Sequence, residues 1–577
     1  MPRADAFRLR DAVVGGGLDS RPHATHPSAP VACGPPRLGT PHGPAVPRRA
    51  DPAGRNPVRL RPVARLKAGA FAVLVALSAV LPAAHAAELT APPRVLRDDV
   101  LPGTGRAQHL GHLPHRAYLR LAFTLAARDR ADLDTYVAEV DDPDSPRYRQ
   151  YLRGSQFAAR YGRTVAEIER LRAYLEGNGF HIDDVHSGRL VVDASASAAD
   201  VERTLGIRLD TWRDPASGRV FYGNATPPEL PADPGYLVAD IAGLTDRAVR
   251  RPTVSFGGAD GLTPAQLRDA QGSVSNTRGD RSGPRPRVAL AEFAGFRPQD
   301  VAAYDRRFAL ASPAPELRLV DGGPVDGDAG RAAVEAEIET VQAVAPDTAT
   351  VVFSAENSAA GEVDAWQSVI DAGIPVAMTG WGAPEEQRTG SGMRAIDLVL
   401  EEGAAEGVGF YAPADHGSEA SDDSGGGVLF PASDPHVTAV GAADDAATGG
   451  TESGRGRSAV FAQPWWQARW VGVDPYGRRE VPDVTARVVR GPVVHADGRW
   501  RTAGGTGVAT ALWTALAAGY DQRAASLQQP RLGFAPPTLY RFTLGRGAVA
   551  GVLQAGGWVP FDGARAAAPS RPNRLHG

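Results

Sequence analysis

The sequence predicts an α/β fold, a doubly wound parallel sheet, preceded by a smaller α+β module. Three observations carry that expectation. From about residue 287 onward, short apolar runs alternate with helical patterns; before that lie two β-α-β passes; and an Arg/Pro/Gly-rich polar stretch separates the two regions. A chain of 577 residues also exceeds what one hydrophobic core usually covers, so two domains are expected.

Residues 1–57 are rich in Pro, Arg, Gly and His without apolar periodicity, which cannot supply a core. They read as disordered, or as translated from a start codon upstream of the true one. Residues 58–86 carry a basic flank (Arg59, Arg61, Arg65, Lys67), an apolar centre from Ala68 to Leu81, and Ala84-His85-Ala86. That order describes a signal peptide, shorter than the roughly 20 apolar residues of a membrane span. The expectation is export, to the periplasm or medium, with no membrane span in the mature chain. The only cysteine is Cys33, so no internal disulfide framework is available. Basic and acidic residues nearly balance, 62 against 66, which argues against a nucleic-acid partner.

The α+β module is assigned to residues 91–246. Ala117 to Leu125 reads as a strand, and Asp132 to Val140 as a helix with Leu133, Tyr136 and Val137 on one face. Thr164-Val-Ala-Glu167 is a capping box opening a helix that Gly177-Asn178-Gly179 ends. Gly188 to Asp193 reads as a strand, after which Ser197 to Asp200 caps a further helix through Leu205. The order suggests a ferredoxin-like sandwich. Residues 247–286 then read as a linker, interrupted by Gly261 to Arg268.

Residues 287–577 supply the main domain. Buried strands are expected at Val288 to Phe293, Thr350 to Phe353, Pro375 to Met378, Val408 to Tyr411 and Val437 to Val440. Helices are expected near Val301, Val334, Ala365, Ile396 and Val508. In such sheets the functional loops sit at the carboxyl ends of the strands. One of them is Gly504-Gly505-Thr506-Gly507, a glycine turn running into a buried Ala/Leu/Val/Trp helix. Such a turn serves as an oxyanion site at a helix N-terminus, or as a close-packed turn before a core helix; these residues alone fit both.

Asp144-Ser-Pro-Arg-Tyr-Arg-Gln-Tyr-Leu152, with Gln156-Phe157 and Arg160-Tyr161-Gly162, resembles the activation prodomain of the sedolisin family of serine-carboxyl peptidases. Met378-Thr-Gly-Trp-Gly382, Ala414-Asp-His-Gly417, Phe430 to Gly441 and Val481-Pro-Asp-Val484 follow in the family's order. The resemblance runs from about Arg94 to Asp562 and implies a subtilisin-like peptidase domain behind a prodomain.

It also implies a site, which this chain departs from. The family's nucleophilic Ser falls at Gly507, its helical Glu at Ala333, and its Asp four residues later at Glu337. Two carboxylates at i and i+4 share a helix face and would activate the serine; here one carboxylate and the hydroxyl are missing. A register shifted by two would instead pair Glu335 with Glu339; a solvated helix face is the plain reading of all three glutamates. Asp415 matches the family's oxyanion Asp, and Glu292 and Trp381 match its supporting Glu and Trp. The family's calcium site would need carboxylates where this chain has Phe542 and Val559, with Asp562 displaced, so no calcium is expected.

The resemblance thus implies a catalytically impaired relative of an acid endopeptidase, an exported two-domain protein that retains its own prodomain and a cleft for a peptide or protein ligand. Two alternatives stay open. One is an active acid peptidase with shifted residues; the other is a structural or glycan-binding protein using Trp465, Trp466 and Trp470.

Overall fold

The computed structural model describes residues 92–100, 107–215, 218–247, 250–258, 260–270, 285–324, 330–414, 428–443, 456–487, 490–544 and 559–560. The reading of residues 1–57 and the signal peptide at 58–86 lie outside them, and the described residues all belong to the unit Ala86–Gly577.

The N-terminal module is a four-stranded antiparallel sheet. Its order is His181–Val185, Val191–Ser197, Tyr118–Leu125, Val238–Ala242. In chain order this is 2-3-1-4, the ferredoxin-like arrangement, with helices Val165–Gly177 and Ala198–Leu205 in the crossovers. Local chemistry sets these helices. Thr164 Oγ1 accepts from Glu167 N while the Glu167 carboxylate accepts from Thr164 N, and Ser197 caps the second helix through Asp200 N. Gly206, at φ +63°, terminates it in the left-handed region. Leu121, Phe123, Leu171, Leu175, Val192 and Leu205 fill the module's own core.

The C-terminal module is built on an eight-stranded sheet. Its order is Glu316–Leu319, Ala349–Ser354, Arg287–Glu292, Val376–Met378, Gly409–Pro413, Val437–Ala443, Val484–Arg487, Val559–Pro560. Every neighbouring pair is parallel except the last. The central strands are near-continuous apolar runs because helices cover the sheet, as a parallel sheet demands. Helix Arg331–Val344 packs against helix Gly505–Ser526, and helix Ala359–Asp371 against Gly390–Ala405. The result is the doubly wound, subtilisin-like α/β sheet that the resemblance implies. Strand Arg287–Glu292 comes first in this module, yet lies between the strands at 349–354 and 376–378. The winding therefore reverses beside it, and its last residue, Glu292, stands at the switch point where α/β sheets place their sites.

The N-terminal sheet docks on the Ala359–Asp371 and Gly390–Ala405 helices, and Ala122, Val191 and Ala242 join the C-terminal core. The stretch read as a linker is structured in part. Arg251–Pro252 and Ser255–Gly257 are strands, and Pro264–Ala270 is a helix.

Candidate functional site

Helix Arg331–Val344 starts at Gly330, whose φ of +92° suits glycine; a Cβ there would lie 2.2 Å from the Trp381 ring. Every residue from Ala333 to Val344 is buried, which corrects the reading of its glutamates as a solvated face. Their burial is tolerable only because each has a specific environment.

Glu335 accepts from Arg297 N at 2.9 Å and from Asp497 N at 2.7 Å, while Glu339 accepts from His495 N at 2.6 Å. One oxygen of each carboxylate therefore holds the 495–497 turn, whose Asp497 sits at φ +53°. The shifted pairing of Glu335 with Glu339 as a catalytic couple is not what the structure builds.

Glu337 projects elsewhere. Its carboxyl group faces Glu292, and among the described residues none of the four oxygens of the pair has a hydrogen bond of normal geometry. Burial pushes Glu292 up to about 8, partly offset by the Gly380 backbone and by its neighbours Glu337 and Trp381. Burial, and then the Glu292 charge, holds Glu337 well above the usual carboxylate range. The pair thus carries protons at neutral pH. Glu337 Oε1 also lies so close to Gly380 that a Cβ on that residue would be 1.7 Å away. Trp381 is buried edge-on to Phe293, with ring centroids 5.8 Å apart.

Gly507 comes next to this pair. A Cβ at position 507 would lie 3.1 Å from Glu337 Oε1, 3.1 Å from Thr253 Oγ1 and 2.8 Å from Val254 Cγ2. Gly507 and Glu337, the positions that the resemblance aligns with the family's serine and aspartate, are therefore neighbours. Ala333, one turn before Glu337 on the same helix face, is 3% exposed and offers only a methyl group. Asp415 and its neighbour His416 lie outside the described residues.

The site's other occupant is part of the stretch read as a linker. Residues 251–257 run between two strands, with Arg251 and Pro252 opposite Gly382 and Trp381, and Ser255 to Gly257 opposite Gly504 to Thr502. At the centre Thr253 N donates to Gly380 O at 3.0 Å, and Gly507 N donates to Thr253 O at 3.4 Å. Main-chain pairing to an exposed sheet edge is how an extended peptide is bound by strand addition, and this segment pairs to two such edges in turn. The segment is anchored upstream by Arg250, 1% exposed, which shares Glu362 with Arg388, while Arg250 N and O both bond the Asn357 side chain. Thr253-Val-Ser-Phe256, a short β-prone run inside the Pro/Gly-rich stretch, is the signal that would have marked it.

The tryptophan platform is not formed. Trp466 is buried against Phe534, Tyr540 and the Arg479 guanidinium, and Trp465 and Trp470 are half-buried in the short helix Trp465–Trp470. The backbone at Tyr540–Arg541 continues helix Pro536–Leu544, but the side chains of Phe542 and Val559 lie outside the described residues.

Residues 106–247 match the family model described as Pro-kumamolisin, activation domain. Kumamolisin of Bacillus sp. (strain MN-32) is 27% identical over 477 residues, covering 73% of this chain and 84% of its own. Sedolisin of Pseudomonas sp. (strain 101) is 23% identical over 474 residues, covering 73% of this chain and 78% of its own. A solved Pseudomonas sedolisin, a serine-carboxyl proteinase complexed with pseudo-iodotyrostatin, superposes with a TM-score of 0.40 at 23% identity, covering 49% of this chain and 85% of that one. With an activation domain matched in its N-terminal module and two peptidases of one family aligned across both modules, the chain is similar to the sedolisin family along most of its described length.

Proposed function

We propose that this protein is a catalytically impaired sedolisin, a pseudopeptidase whose peptide cleft is filled by its own connecting segment. The observation that carries this reading is the packing at position 507. Where a serine would present its hydroxyl to Glu337, there is no side chain, and the Val254 side chain lies closer than a Cβ would allow. Glycine cannot form an acyl-enzyme, and loss of a serine nucleophile costs on the order of 10⁶ in turnover. Without a nucleophile the prodomain is not removed by the protein itself, so it stays attached.

The two other readings lose their support in the same geometry. Glu335 and Glu339 are committed to backbone N–H groups, and Trp466 is a core residue. The protein is exported on this reading, and no helix among the described residues is long and apolar enough to cross a membrane. Phe542 and Val559 offer no side-chain oxygen to a calcium ion, so the family's calcium is not held there.

The test is mass spectrometry of the purified full chain after incubation between pH 3 and pH 7, alone and with unfolded protein as substrate. The chain should remain intact and the substrate uncut. A fragment generated by the purified protein, beginning near residues 251–260, overturns the reading.

A further inference from the structure

A second cluster of buried acidic groups lies where the two modules meet, away from the cleft. His186, in the turn between two N-terminal strands, is 6% exposed; Asp193, on the strand Val191–Ser197, is 2% exposed; Asp364, on helix Ala359–Asp371 of the C-terminal module, is 1% exposed. Their ligand atoms all lie within 4.8 Å of one another. His186 Nε2 is 2.9 Å from Asp193 Oδ2, and its Nδ1 is 2.8 Å from Asp371 Oδ2. Asp371 sits two helical turns beyond Asp364, on the same face.

The bonding is incomplete. Both oxygens of Asp364 and Oδ1 of Asp193 are buried without a hydrogen bond of normal geometry, and Asp364 faces the carboxylates of Asp193 and Asp321. No arginine or lysine ion-pairs with either residue among the described residues; His186 is the sole cationic group on Asp193. A buried carboxylate left this way costs several kcal/mol unless something neutralises it. The neighbouring trio Asp397, Asp434 and His436 is different, because the Arg130 guanidinium lies 3.1 Å from Asp397 and supplies the positive charge.

We propose that His186, Asp193 and Asp364 form a binding site for one divalent transition-metal ion, with zinc the best match, that staples the N-terminal module to the C-terminal one. The donor set of one imidazole nitrogen and two carboxylates suits zinc, whereas calcium prefers oxygen alone. The ion displaces the proton that His186 Nε2 shares with Asp193, and the two carboxylates then balance its charge. Bond lengths of about 2.0–2.2 Å put tetrahedral donors about 3.3–3.5 Å apart, so binding draws together atoms that now lie within 4.8 Å of one another. Asp371, accepting from Nδ1–H, would fix the tautomer that turns Nε2 toward the ion. The site exists only while both modules are docked, since neither supplies three ligands alone.

The experiment is a zinc titration of the full chain, stripped with EDTA and competed against a chromophoric chelator, in a His115→Ala background that removes the exposed trio His112, His115 and Glu202. One tight equivalent is expected, together with a zinc-dependent rise in melting temperature. Asp364→Asn and His186→Gln should each weaken binding at least tenfold and abolish that rise. Asp371→Asn, at a residue that is 27% exposed and therefore a safe variant should the others fail to fold, should weaken binding about 10- to 100-fold. A His115→Ala protein that binds no zinc, or folded variants at 364, 186 and 371 that bind it as tightly as their parent, overturns the proposal.

Discussion

Restoring the missing side chain at position 507 tests how the cleft is filled. In Gly507→Ser the added Cβ meets Val254 Cγ2 at 2.8 Å and Thr253 Oγ1 at 3.1 Å. Inserting atoms into a packed site of this kind costs about 1–3 kcal/mol. Val254→Ala alone removes two partly buried methyl groups, a loss of roughly 1–2 kcal/mol. In the serine background the same truncation removes the clash, so it should be close to neutral. Urea unfolding of the four proteins in the double-mutant cycle should therefore give a coupling of at least about 1 kcal/mol. Hydrolysis of unfolded protein at pH 4 should stay at background in both serine variants. Residues of a catalytic unit act together, and Ala333 still contributes no carboxylate. Single costs that add within about 0.5 kcal/mol would show that Val254 does not occupy the serine's place, and turnover by Gly507→Ser would show that no carboxylate at 333 is needed.

Three further outcomes follow from the same geometry. Because burial raises Glu292 to about 8 and holds Glu337 well above the usual carboxylate range, the pair's contribution is full below the unfolded glutamate value and is lost as pH rises through the folded ones; Glu337→Gln should flatten the fall in unfolding free energy between pH 5 and pH 8 by up to about 1.4 kcal/mol per pH unit, and parallel curves would contradict the pairing. Glu335→Ala leaves the N–H groups of Arg297 and Asp497 without their acceptor, so it should cost about 3 kcal/mol and speed hydrogen exchange at Asp497; unchanged exchange there would remove the glutamate from its proposed anchoring role. Gly380→Ala forces a Cβ against Glu337 Oε1 and should destabilise by about 3 kcal/mol, with Glu337→Ala recovering part of the loss; denaturation of the single and double variants decides it.

Much of the fold was readable because its signals are local. The Thr164 capping box, the Ser197 cap and the apolar runs at 288–293 and 437–440 each declare an element through nearest neighbours, and all of them form. The identity of the cleft's neighbours was also readable by register: Glu337, Gly507 and Glu292 come together because the helix spacing and the strand end put them there. What escaped depends on non-local partners. Glu335 and Glu339 look like surface residues until the 495–497 turn supplies its N–H groups from 156 and more positions away. The segment at 251–257 looks like a linker because its pairing partners lie near residues 381 and 503. Trp466 was ambiguous for the same reason, its partners Phe534 and Tyr540 being distant in sequence.

The grip on residues 250–257 also determines how a severed chain would behave. An outside enzyme cutting just after Gly257 would leave the upstream product ending in two short strands, each paired to a different sheet, and tethered by a buried guanidinium. The two halves would then migrate separately under denaturing conditions yet elute as a single particle. Nicking and liberation are distinct events for this protein, and only the second would uncover the groove.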